Sequence, residues 1–93
     1  MLDKTALTAD EAALNITWQG GNGDLPDAIL FDTTDVDVRA SATEAVRTGY
    51  VPGITADEGV DFRDFTVDRF PANDGVPYNQ IFLRPKSDVG LED

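Results

Sequence analysis

Apolar and polar positions along the chain follow two rhythms, one of period two and one near 3.6, and the switches between them predict the elements. Leu14 to Gln19 alternates, with Leu14, Ile16 and Trp18 on one side and Asn15, Thr17 and Gln19 on the other, as a half-buried strand does. Asp27 to Asp32, DAILFD, predicts a second short strand. The turn-rich run Gly20-Gly21-Asn22-Gly23-Asp24 then makes residues 14 to 32 a hairpin with a long loop. The period changes at Thr34. That residue can accept from the early backbone N–H groups of a helix, and Asp37 stands at capping-box spacing. Val38, Ala42, Ala45 and Val46 form a narrow apolar stripe, Arg47 suits the negative end of the dipole, Gly49 offers a left-handed stop and Pro52 forbids continuation. Because the stripe is made of small residues, this helix needs a broad apolar surface from elsewhere in the chain.

Tyr50 to Gly59, with Pro52, Gly53 and Gly59, predicts a loop. Asp61 to Phe70 alternates again, Arg63, Phe65, Val67 and Arg69 opposite Phe62, Asp64, Thr66, Asp68 and Phe70, with Phe65 and Val67 as the core side. Residues 71 to 75 are turn chemistry, and Tyr78 to Arg84 is a strand stopped by Pro85 in which Ile81 and Leu83 share a face. Ahead of all this, Thr8-Ala9-Asp10-Glu11 has capping-box spacing but supports at most one helical turn. The predicted organisation is a flexible tail over residues 1–13, a domain over 14–85 and a flexible tail over 86–93. Its order is ββαββ, an α+β fold with a mixed sheet of four to five strands packed on one helix. A right-handed crossover lets the first and last strands pair in parallel at the sheet centre, the topology of the β-grasp. Trp18, Ile16, Ile81, Leu83 and Phe65 are the expected core.

Composition removes whole classes of chemistry. The 93 residues, 41% hydrophobic with eight aromatics, suffice for one small core. With no cysteine there is no disulfide, thiolate metal site or cysteine nucleophile; with no histidine, the commonest general base and metal ligand are missing. Ser41 therefore has no imidazole to activate it as a nucleophile. Eighteen acids against seven bases, net charge −11, oppose binding to nucleic acid or anionic lipid. Either the acids form a solubilising surface or they complement a basic groove on a partner protein. No run is apolar or long enough for a membrane span, and the N-terminus lacks the basic start and apolar core of an export signal, so a cytoplasmic monomer is expected.

The segment FDTTDVDVRASATEAVRTGYVPGI resembles the strand, helix and proline-containing loop of ubiquitin-like proteins, and NQIFLRPKSDVG is similar to their last strand and glycine-ended tail. The resemblance implies a β-grasp modifier or carrier, of bacterial or archaeal type, activated at a C-terminal glycine. Gly90 is the matching residue. The pattern departs where Leu91-Glu92-Asp93 follow it, so the resemblance implies a trimming peptidase beside activating (adenylating) and conjugating enzymes as partners. A glycine suits that chemistry because, without a side chain, the carboxylate can be threaded to a phosphate and then to a thiol or amine. The two lysines, Lys4 and Lys86, are the acceptors for self-linkage, with Lys4 favoured by its place in the tail. The alternative is a non-covalent β-grasp interaction module whose tail does no chemistry.

No residue is assigned a catalytic role, a metal or a cofactor. Asp32, Asp35 and Asp37 lack the glycine and distant glutamate of an EF-hand loop and read as helix-capping acids, and Gly20 to Gly23 lacks the Lys-Ser/Thr of a phosphate loop. What remains is a surface. If Ile81 and Leu83 face the helix, Tyr78, Gln80, Phe82 and Arg84 face away from it, beside Thr17 and Thr66. Phe82 then stands at the centre of a polar sheet face, where a protein-binding hot spot would lie unless Phe62, Phe70 or the N-terminal tail covers it.

Overall fold

The computed structural model describes residues 4–86. It is an α+β fold: one helix lies against one face of a mixed five-stranded sheet. The strands are β1 (Glu11–Trp18), β2 (Gly21–Asp24), β3 (Ile29–Leu30), β4 (Phe65–Phe70) and β5 (Asn79–Pro85), and the helix, α1 (Asp35–Arg47), falls between β3 and β4. The sheet order is β2-β1-β5-β4, with the short β3 pairing the start of β1.

The helix forms where its local signals stand. Thr34 caps it, its Oγ1 accepting from the Asp37 N–H at 3.2 Å. Gly49, with φ at +73°, turns the chain away at the other end. Val38, Ala42, Ala45 and Val46 are buried against the sheet, as their spacing predicts.

Strands β1 and β5 run parallel at the sheet centre, with Leu14 beside Ile81 and Ile16 beside Leu83, and all four side chains are fully buried under the helix. β4 then pairs antiparallel with β5, placing Val67 beside Leu83 on the helix side. Trp18, Phe65 and Val67 are partly buried and pack on this core.

Several boundaries differ from expectation, the smallest shift being that of β5, which runs one residue later and includes Pro85. β1 begins at Glu11 rather than Leu14, so Ala12 and Ala13, expected in a tail, are buried in the sheet. The Thr8–Glu11 pair makes a turn, not a helix: the Thr8 N–H donates to Glu11 Oε1 at 3.0 Å, and the chain passes straight into the strand. The glycine-rich run expected as a loop is β2. Gln19 and Gly20, with φ at +50° and +80°, close a two-residue hairpin of the kind that matches strand twist, which brings Gly21 opposite Trp18. Glycine is required in β2 because a neighbouring loop crosses it closely. A Cβ on Gly21 would lie 2.7 Å from the Gly53 carbonyl oxygen, and one on Gly23 would overlap that of Pro52. The expected strand at 27–32 shrinks to Ile29–Leu30, so three strands precede the helix and the order is βββαββ.

A further difference concerns Phe62. The alternation from Asp61 predicts it on the outer side of a strand, but β4 starts only at Phe65 and Phe62 lies in the preceding loop, 1% exposed. Its ring meets Trp18 and Phe65 edge-on, with centroids 5.3 Å and 4.9 Å away. Val51, Ile54 and Val60 from the same connection are buried with it. The segment after the helix thus closes the core that a thin helical stripe leaves open.

Candidate functional site

Alternation along the strands sends every second residue to the side of the sheet away from the helix. On that side β5 presents Gln80, Phe82 and Arg84, β1 presents Ala13, Asn15 and Thr17, β4 presents Thr66, Asp68 and Phe70, and β2 presents Asn22 and Asp24. Tyr78, just before β5, reaches the same side, where its ring centre lies 5.7 Å from the ammonium of Lys4, the partner of Asp24. The six residues expected from the sequence to form a surface, Thr17, Thr66, Tyr78, Gln80, Phe82 and Arg84, therefore share one face.

The centre of that face is an aromatic and cationic cluster. Phe82 is partly buried, with Phe70 edge-on at 5.5 Å between centroids and the Arg84 guanidinium 4.5 Å above its ring. A cation over a ring at this distance adds a modest attraction. Phe70 itself is 45% exposed, so the cluster is an apolar island on an otherwise polar surface. Thr66 sits at its edge, its Oγ1 donating to the Arg84 carbonyl at 3.4 Å.

Toward β2 the face is held by side-chain amides. Asn15 and Asn22 exchange hydrogen bonds, Asn15 Nδ2 donating to Asn22 Oδ1 at 3.1 Å and Asn22 Nδ2 to Asn15 Oδ1 at 2.7 Å. Asn22 also donates to Thr17 Oγ1 at 2.9 Å, and Asn15 to Asp24 Oδ1 at 2.9 Å. Thr17, expected as a contact residue, is thus tied into a network.

The N-terminal arm lies over the same region. A single 3-10 turn at Lys4–Ala6 delivers Lys4, whose Nζ is 2.7 Å from Asp24 Oδ2 and 5.7 Å from the centre of the Tyr78 ring. The hydrogen bond to Asp24 raises the Lys4 ammonium above its ordinary lysine value, against the opposing effect of burial. Burial alone would raise the Asp24 carboxyl, yet the hydrogen bonds from Lys4 and Asn15 outweigh it and hold its pKa below the usual carboxylate range. Lys4, expected in a mobile tail as the favoured acceptor for self-linkage, is instead held in an ion pair. The proposed acceptor Lys86 is exposed where β5 ends. Gly90 lies outside the described residues.

Behind the arm, the buried Asn79 was missed from the sequence. Its Nδ2 donates to the carbonyls of Ala9 and Glu11, both at 2.9 Å, and its Oδ1 accepts from the Ala72 N–H at 2.9 Å. Its amide fastens the root of the arm to β5. A polar residue in the first position of a strand otherwise reading as alternation is the signal that could have found it.

A shallow cleft near the β1–β2 hairpin has Trp18, Gly21, Gly53 and Asp57 among its lining residues. There Trp18 Nε1 donates to Asp57 Oδ2 at 2.8 Å. That bond, with the Gly59 N–H, lowers the Asp57 pKa and pins the loop, which accounts for these groups structurally. Among the described residues, no three carboxylates come together closely enough to hold a metal ion, and no helix is long and apolar enough to cross a membrane. No family model, curated protein or solved structure matches the chain.

Proposed function

We propose that the protein is a β-grasp, ubiquitin-like modifier or carrier, recognised through the sheet face around Phe82 and activated at Gly90 after removal of Leu91-Glu92-Asp93. The observation that supports it most is the parallel pairing of β1 with β5 across the single helix. That arrangement puts the last strand at the sheet centre. A tail that starts at a rigid central strand can enter an activating enzyme while Phe82 and Arg84 are gripped by the same partner. On this reading the protein works as a cytoplasmic monomer with an activating enzyme, a conjugating enzyme and a trimming peptidase, and does no catalysis itself.

Mass spectrometry of the protein recovered from its own host tests the proposal. A form ending at Gly90, part of it joined through that carboxylate to a lysine or a sulfur, is the expected result, and Gly90→Asp should abolish the conjugates without unfolding the domain. Recovery of only the full chain ending at Asp93, with no species of higher mass, would overturn it.

One observation favours a second reading, a non-covalent interaction module. The Phe70, Phe82 and Arg84 cluster is complete without the tail and has the aromatic and arginine composition of a binding hot spot. In that case the partner is retained by the untrimmed chain and lost on Phe82→Ala.

A further inference from the structure

The Lys4 ion pair occupies an unusual place. Asp24 lies on β2 opposite Asn15, and Tyr78 lies two residues before Gln80, which stands beside Ala13. A cation that touches both must pass over β1 between the levels of Glu11 and Asn15, which is the position of Ala13. That residue, on the face away from the helix, is 4% exposed. The side chain there is small, and the Lys4 ammonium meets a carboxylate oxygen of Asp24 at 2.7 Å, whose second oxygen is held by the Asn15 amide, and lies 5.7 Å from the centre of the Tyr78 ring. The carboxylate side is braced by the sheet, because Asn15 and Asn22 hold each other and Asp24 is part of a paired strand.

We propose that Ala13, Asn15, Asp24 and Tyr78 form a seat for a lysine or arginine side chain of a partner protein, and that Lys4 fills this seat in the free chain as a removable stand-in. The partner's chemistry follows from charge: a chain of net charge −11 attracts basic surfaces, and here one carboxylate is already oriented with a ring beside it, the combination that recognises a long cationic side chain. Lys4 competes because it is tethered. Its arm is rooted at Ala9 and Glu11 by Asn79, and a short tether gives a millimolar effective concentration. A free basic side chain loses that contest. A partner that also grips the neighbouring Phe82 and Arg84 wins it, and the arm then peels away. The seat lies on the sheet and at the entry to β5, and holds whether or not the tail is ever activated.

The test uses the full-length chain with Nα-acetyl-lysine amide as the probe, followed by NMR at the Asn15 side-chain amide and the Tyr78 ring. The native chain should show no saturable shift, because Lys4 holds the seat. Lys4→Ala should show saturable binding, and adding Asp24→Asn to it should weaken that binding severalfold, up to about fivefold, as loss of a partly exposed ion pair does. If Lys4→Ala does not fold, Lys4→Met, which keeps an aliphatic stem above Ala13 without the charge, takes its place. Equal response of native and Lys4-substituted chains, no saturable shift in either, or binding indifferent to Asp24→Asn would each overturn the proposal.

Discussion

The two faces of the sheet are cut from the same strands, one residue out of step, and they cohere by different physics. On the helix side Leu14, Ile16, Ile81 and Leu83 are removed from water altogether, and their contribution scales with apolar area. On the other side the neighbours of those residues, Asn15, Thr17, Phe82 and Arg84, are held by amide hydrogen bonds with Asn22 and by one cation over a ring, with the Lys4–Asp24 ion pair beside them, all partly open to water. Interactions of the second kind contribute little to folding individually, since water competes for each of them, but they orient side chains and so suit recognition. One face therefore holds the fold, and the other carries little of that load.

Substitutions can break that contrast. The largest loss is expected for Phe62→Ala, about 3 to 5 kcal/mol, because an aromatic that is 1% exposed leaves a cavity between Trp18 and Phe65. Ile81→Ala should follow at roughly 2 to 5 kcal/mol. Urea denaturation measures both, and an unchanged midpoint for Ile81→Ala would mean that the strand's faces are reversed. Gly23→Ala tests the packing of β2 under the Pro52 loop; the overlap it creates should cost about 1 to 3 kcal/mol, read as a lowered melting temperature.

At the small end, Phe82→Ala should cost no more than about 1 kcal/mol, because its ring is partly exposed and its partners Phe70 and Arg84 remain solvated. A loss equal to that of Ile81→Ala would erase the distinction between the faces.

The arm's latch offers a smaller, pH-dependent effect. The folded-state pKa of Asp24 is depressed, so its stabilising contribution is present above the ordinary carboxylate value of about 3.9 and is lost as pH falls through the lower folded value. That of Lys4 is raised, so its contribution is full below about 10.4 and disappears as pH rises through the higher folded value. The Asn15 side-chain amide resonance should therefore be flat across neutral pH and move at both extremes, and in Asp24→Asn the acid-side movement should vanish.

Much of the fold was legible because its causes are local. Thr34, the Val38 to Val46 stripe and Gly49 each act within a turn or two of themselves, so the helix could be read without knowing what it packs on. The alternation of β1 and β5 likewise showed which residues face the core and which carry Phe82 and Arg84 outward. Their pairing in parallel was expected from a right-handed crossover that returns the chain to the sheet centre.

What the tertiary structure alone decided depends on partners distant in sequence. A run of glycines looks like a loop until a second loop crosses it so closely that only glycine fits, and that approach links residues 21–23 to 52–53. Phe62 obeys the alternation of a strand it does not belong to, and becomes core because Trp18 and Phe65 converge on it. Lys4 reads as a solvated tail residue until the folded sheet sets a carboxylate and a ring within reach of its ammonium. Local propensity and period are written in adjacent residues, whereas close approach and charge seats are properties of register, and register exists only once the strands have paired.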